Sequence, residues 1–149
     1  MDGISAPMYG DGEVVRDWVY IDDHIRALDL IAERGRVGET YNVGGRNERN
    51  INHVVWLVCR VLDSHNLRYG PFGGPIRLIK PLQNRPDARH AIDTTKLETE
   101  LGWTAQETFQ TGMAKTVQWY LDNISWWKPL RQSYEKHMST MGLVPAPKV

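Results

Sequence analysis

The chain has a single cysteine, Cys59, in 149 residues. An intrachain disulfide is therefore impossible, which suits a reducing compartment. Cys59 sits in the apolar run Val54–Leu62, where it reads as a small buried hydrophobe. Burial without a neighbouring positive group keeps a thiol protonated and inert. Charge of one sign is not in surplus, because eighteen basic residues meet eighteen acidic ones. No basic stripe of the kind that displaces counterions from nucleic acid is present. The loosest basic stretch, Arg77 to Arg89, is interrupted by Asp87 and by prolines, so it suits one small anion and not a polyanion. No segment approaches the ~20 apolar residues of a membrane span, and Met1-Asp-Gly-Ile-Ser lacks the regions of a signal peptide. A cytoplasmic protein with neither a membrane nor a nucleic-acid partner is the expectation. Gly44-Gly45 has no third glycine and no immediate helix after it, so a dinucleotide fingerprint is missing. No His/Cys/Asp spacing reads as a metal site.

What remains is the balance of a soluble globular chain, 41% hydrophobic and 24% charged. Its length suits one domain. A glycine turn, Gly10-Asp11-Gly12, leads into the strand-like stretch Glu13–Ile21. Asp22 is placed to cap a helix in which Ile21, Ile25, Leu28 and Ala32 share one face. Gly35 or Gly38 ends that helix through a left-handed turn. Glu39–Val43 predicts a short strand, and about 51–63 a second helix with Val54, Val55, Val58, Val61 and Leu62 inward. Ser64–Pro75 and Leu82–Ala88 read as loops around a strand at Ile76–Ile79. Asp93 caps a short helix that stops before Gly102, and Thr104 with Glu107 predicts a capping box. Beyond it Phe109, Met113, Val117 and Leu121 form a four-residue core stripe. From Lys128 onward the chain reads as a polar, partly loose tail. Alternating strands and helices make the fold class α/β.

Candidate chemistry is sparse. Arg16 follows the glycine turn, and a guanidinium held by strands matches phosphate bidentately. From spacing alone, a surface pair with Asp17 or Glu13 accounts for Arg16 better. Arg85 and Arg89 lie in a loop, where arginines are more often solvated than functional. Asn42 ends a strand and serves a ligand or its own turn equally well. Asp22-Asp23-His24 resembles an acid–base pair, but acidic residues at a helix start also complement its dipole, and that reading is preferred. Tyr9, Tyr20, Tyr41 and Tyr69 all lack a lysine four residues on, so none forms a tyrosine–lysine base.

Taken together, several blocks resemble dTDP-glucose 4,6-dehydratases. They are Tyr9-Gly-Asp-Gly, Arg16-Asp17-Trp18 running on to Asp23-His24, and Tyr41-Asn42-Val-Gly-Gly. Arg85-Pro86, Ala91-Ile92-Asp93, Gly102-Trp103 and Thr116-Val-Gln-Trp119-Tyr120 follow in the family's order. The resemblance covers about residues 4–127. It implies an extended short-chain dehydrogenase/reductase, of which this chain is the carboxy-terminal substrate-binding part without the NAD-binding half. On that reading residues 1–127 bind sugar nucleotide, 21–45 are the edge helix and strand of the missing Rossmann sheet with apolar faces partly exposed in this chain alone, and 128–149 are tail. The resemblance places Arg16 on the substrate phosphates. It further assigns Asn42, Pro7, Met8, Tyr9, Asn84, Arg85 and Pro86 to the substrate site. The later loop departs from the family pattern: it reads Asn84-Arg85-Pro86-Asp87, two residues short. The family uses NAD as an internal hydride carrier and forms homodimers. With the NAD motif and catalytic residues upstream of Met1, the chain alone is expected to bind no NAD and to be inactive. The partner is then a dTDP-sugar, with a separate Rossmann half as a second possibility. The alternatives are a non-catalytic nucleotide-sugar binding module and a degenerate remnant with no ligand.

Overall fold

The computed structural model describes residues 7–65, 77–79 and 88–140. Its strands are short. β1 (Pro7–Tyr9) pairs in parallel with β4 (Arg77–Ile79). β2 (Val15–Asp17) is the centre of a three-stranded sheet, between antiparallel β3 (Glu48–Asn50) and parallel β5 (Arg89–His90). Register sets Val15 opposite Asn50 and Arg89, Arg16 opposite Arg49 and His90, and Asp17 opposite Glu48. The strand expected over 13–21 is thus shorter, and the chain leaves the sheet at Trp18. There the Trp18 amide donates to the Asn47 carbonyl at 3.2 Å and no longer to β3 or β5.

Helix α1 spans Ile21–Arg34, and Tyr20, not Asp22, occupies its N-cap without a side-chain cap bond. Asp22 and Asp23 fall in the first turn, where they meet the positive end of the helix. Gly35 ends the helix in extended backbone, and the left-handed residue is Gly38. The expected apolar face is the outward one: Ile21, Ile25 and Leu28 are 59%, 46% and 50% exposed. Inward lie Asp23 and Ala27. Ala27 joins Leu97, Leu101 and Trp103 in the core, with Leu30, Ile31, Tyr41 and Val43 packed against them.

No strand forms over Glu39–Val43. The segment alternates as a strand would, Tyr41 and Val43 packing inward while Asn42 is exposed. Strand assignment needs ladder partners, and none of the described strands runs beside it.

Helix α2 (Ile51–Ser64) follows β3 directly, with the Asn50 side chain accepting from the His53 amide at 2.9 Å. Leu57 and Leu62 are its buried residues, and the expected valines are half-buried. Cys59 is also half-buried, and burial, aided by Asp63, pushes its thiol up from the ordinary value.

Helix α3 (Thr95–Leu101) has Thr94 at its N-cap, while Asp93 supplies the carboxylate, accepting from the Thr95 amide at 2.9 Å. Gly102 closes it with φ of 71°, a left-handed turn that a side chain disfavours. The capping box falls four residues later than Thr104 and Glu107 predict. Thr108 and Thr111 form it reciprocally at the start of α4 (Phe109–Asp122). Glu107 instead pairs with Lys115 at 2.5 Å. Phe109 and Val117 are the buried members of the expected stripe.

The tail reading is overturned as far as Thr140. Residues Ile124–Thr140 form helix α5, with Pro129 inside it. Proline removes one hydrogen bond and strains a helix by about 3 kcal/mol. The residues after it, Leu130 to Thr140, include Arg, Gln, Glu, Lys and Met, which favour helix. Aromatic contacts seat α5 on α4: Trp126 meets Trp119 edge-on, and the Trp127 indole donates to the Tyr120 carbonyl at 2.8 Å. No helix among the described residues is long and apolar enough to cross a membrane.

Candidate functional site

Arg16 is the middle residue of the central strand, which fixes its backbone on both sides. Its Nη1 donates to the Val15 carbonyl at 2.8 Å. The next residue does different work. Asp17 accepts from the Gly45 amide through Oδ2 at 3.0 Å and from the Asn47 amide through Oδ1 at 2.7 Å. That carboxylate holds the turn 44–47 against the end of β2. Glu13, the other acid proposed for Arg16, accepts from the side chains of Asn50 at 3.1 Å and Asn52 at 2.7 Å.

The turn is confined from two further directions. A Cβ on Gly45 would overlap the Trp18 carbonyl oxygen, so only glycine allows this approach. Arg46 has a positive φ of 50°, uncommon for a side-chain-bearing residue. Its guanidinium grips Glu98 on α3 with two bonds, 2.6 and 2.9 Å. Hydrogen bonds from Arg46 and then Thr94 hold the Glu98 carboxyl below its ordinary value.

Of the remaining expected binding residues, Asn42 stands two positions before this turn. Asn42 neither caps its own turn nor lies inside the sheet. It is exposed, and its Nδ2 donates to the Asp93 carbonyl at 3.4 Å. Met8 is buried on β1, whose backbone at Pro7 and Tyr9 pairs with Arg77 and Ile79. Asn84, Arg85 and Pro86 lie outside the described residues.

A cavity of about 680 Å³ opens beside Trp18, Tyr20, Phe109, Met113, Trp119 and Tyr120. None of the expected binding residues among the described ones lines it. The Tyr20 phenol is pushed up from its ordinary value by burial and by the nearby Asp22 charge. That is the wrong direction for a general base, which needs its proton released near neutral pH. The Asp22-Asp23-His24 run resolves in favour of structure. Asp23 is 2% exposed, and its Oδ2 accepts from the amides of Gln106 at 3.1 Å and Glu107 at 2.9 Å. Arg26 bonds the other oxygen. Residue spacing offers no sign of this role, because its partners are backbone amides more than eighty residues away.

The NAD implied by the resemblance finds no fit among the described strand–helix junctions. Between Asp17 and Ile21 stand Trp18, Val19 and Tyr20, with no glycine to admit a pyrophosphate. Asp22 and Asp23 add negative charge at the helix start. β3 runs into α2 with the Asn50 side chain already on its free amide. These junctions support no chemical step through a bound dinucleotide.

This arrangement recurs in known proteins. The family model described as GDP-mannose 4,6 dehydratase matches residues 3–116. A probable dTDP-glucose 4,6-dehydratase of Sinorhizobium fredii is 56% identical over 134 residues, covering 88% of this chain and 37% of that protein. A dTDP-glucose 4,6-dehydratase of Escherichia coli is 48% identical over 130 residues, covering 85% of this chain and 36% of its own length. The crystal structure of the Bacillus anthracis dTDP-glucose 4,6-dehydratase in complex with NAD superposes with a TM-score of 0.74 at 40% identity. It covers 86% of this chain and 38% of that one. The chain therefore spans little more than a third of the relatives it matches. On that breadth of match it belongs to the nucleotide-sugar 4,6-dehydratase family of extended short-chain dehydrogenases, as a carboxy-terminal part of the dTDP-glucose 4,6-dehydratase kind.

Proposed function

We propose that this chain is the substrate-gripping part of a dTDP-glucose 4,6-dehydratase and that it binds the diphosphate of a dTDP-sugar through Arg16. The carrying observation is the placement of Arg16 at the centre of a three-stranded sheet, beside a turn that Asp17 holds rigid. A backbone already fixed in a sheet spares the main-chain ordering cost on binding, which favours affinity. Asn42 is exposed on the segment leading into the same turn and is the second contact. The reaction of the whole family member oxidises a sugar carbon with NAD, and holding a dinucleotide needs a glycine-lined turn that the described residues lack. Turnover thus requires an NAD-binding half, in the same polypeptide or a separate one.

The stripe Ile21, Ile25 and Leu28 supports a surface for that half. Three large aliphatic side chains, each about half exposed in one row, form an apolar face of the kind that marks a contact. The extended segment 39–43 offers unladdered backbone as well.

Titration calorimetry of the chain with dTDP tests the grip. Binding that weakens roughly ten-fold or more in Arg16→Ala supports it, on the scale of one charge-assisted bond. Absence of heat with dTDP and dTDP-glucose overturns it in favour of a remnant without ligand. Mixing the chain with the NAD-binding half of a relative then tests the catalytic reading, by formation of the 4-keto-6-deoxy sugar.

A further inference from the structure

The three-stranded sheet sorts its charges by face. Residues directly opposite one another on neighbouring strands point to the same side, and alternate residues point to opposite sides. Asp17 and Glu48 are one such pair, and Val15, Asn50 and Arg89 form the adjacent row on that same face. There Asp17 takes two backbone amides, and Glu48 holds Arg89 with bonds of 2.6 and 2.7 Å. The opposite face carries the row Arg49–Arg16–His90, three basic side chains in strict register across the three strands.

We infer that Arg49 and His90 flank Arg16 as further ligands of the substrate's diphosphate, so that the anion is held by a row and not by one arginine. This deepens the proposed function and rests on it. Basic side chains set in one row present their N–H groups together to an anion laid along it. Neighbouring strands stand about 4.8 Å apart, so the row extends roughly 10 Å, long enough for two linked phosphates to meet separate cations. Arg49 is also oriented from beneath. Its guanidinium lies 5.7 Å from the centre of the buried Phe109 ring, and its Nη1 donates to the Glu48 carbonyl at 2.6 Å. A planar guanidinium backed by a ring keeps its other N–H groups for a ligand. Arg16 and Arg49 are half-buried and His90 is exposed, so the row borders solvent. The sequence hides this set, because its members stand at positions 16, 49 and 90 and only the pairing joins them.

The test uses the full chain with three probes: dTDP, inorganic pyrophosphate and thymidine. Arg49→Met keeps the aliphatic stem on Phe109, Arg49→Lys keeps the charge, and His90→Gln keeps the size. Arg49→Met is expected to weaken dTDP and pyrophosphate about ten-fold, with partial recovery in Arg49→Lys and a several-fold loss in His90→Gln. Affinity for thymidine should not change. Circular dichroism and melting of each variant separate loss of ligand from loss of fold. If wild type binds dTDP through Arg16 while folded Arg49→Met and His90→Gln bind equally well, the row is overturned and the single-arginine grip stands. If wild type itself binds neither dTDP nor pyrophosphate, both readings fall.

Discussion

The carboxylate of Asp23 accepts the backbone amide of Glu107 at 2.9 Å, a contact that bridges 84 positions of sequence. The same oxygen takes the amide of Gln106, and Trp103 donates its indole to the Asp23 carbonyl at 3.3 Å. One residue in the first turn of α1 thereby fixes the approach to α4. Asp23→Asn keeps the shape but presents donors where acceptors are needed. A loss of about 1–3 kcal/mol is expected, read as a fall of several degrees in Tm with unchanged helix content in the folded state.

The capping box gives a prediction with an internal control. Thr108 caps α4 with Thr111 as its reciprocal partner, whereas Thr104 lies outside any helix. Thr108→Ala should cost about 1 kcal/mol. Thr104→Ala should stay within about 0.5 kcal/mol of wild type, as exposed substitutions do. Urea unfolding of the two variants in parallel distinguishes them.

Gly45 permits no side chain. The group in the way is the Trp18 backbone carbonyl, which cannot rotate aside as a side chain would. Gly45→Ala is expected to destabilise the chain by roughly 1–3 kcal/mol, the range for forced overpacking. Hydrogen exchange should locate the damage, with the Asn47 amide, now protected by Asp17 at 2.7 Å, exchanging faster.

Acid should act through the ion pairs around the sheet. Hydrogen bonds from Arg89 lower the Glu48 carboxyl, and those from Arg46 and Thr94 lower Glu98. A folded-state value below the unfolded one means stability that is present above the ordinary value of 4.5. It is lost as the pH falls through the depressed folded value. Melting curves should be flat from neutral pH down to that region and then drop. In the double variant Glu48→Gln, Glu98→Gln the drop should be shallower, from a lower starting Tm. An unchanged acid slope in the double variant would remove these pairs as its cause.

Much of the secondary structure was legible in the residues, and the reasons for the misses are specific. Helices α2 and α4 lie close to where apolar spacing sets them, because each has one strong stripe and a polar cap just before it. The stripe of α1 was equally visible, and its exposure agrees with reading that helix as the edge of a sheet outside this chain; what spacing did not show is that its inner side is Asp23 and Ala27. Periodicity reports that a helix has an apolar side and is silent on whether the described residues supply a surface for it. The box at Thr104 and Glu107 failed because Glu107 had a better partner in Lys115, a preference that only proximity decides. At the site, the role proposed for Arg16 comes from resemblance, because spacing alone favours a surface pair with Asp17 or Glu13. The neighbours Arg49 and His90 and the anchoring role of Asp17 depend on strand register, and a one-residue slip would have turned each to the other face.

The bond between Glu48 and Arg89 joins the two outer strands over the central one. Together with the Val15 amide on the Ala88 carbonyl at 2.9 Å, it sets the point at which the long excursion after α2 must return. Closing a longer loop is cheap, about 0.6 kcal/mol for each doubling of its length. Insertions and deletions upstream of Ala88 can therefore accumulate without displacing His90 from Arg16. A chain with a shorter or longer segment before Ala88 can keep the spacing of this sheet intact.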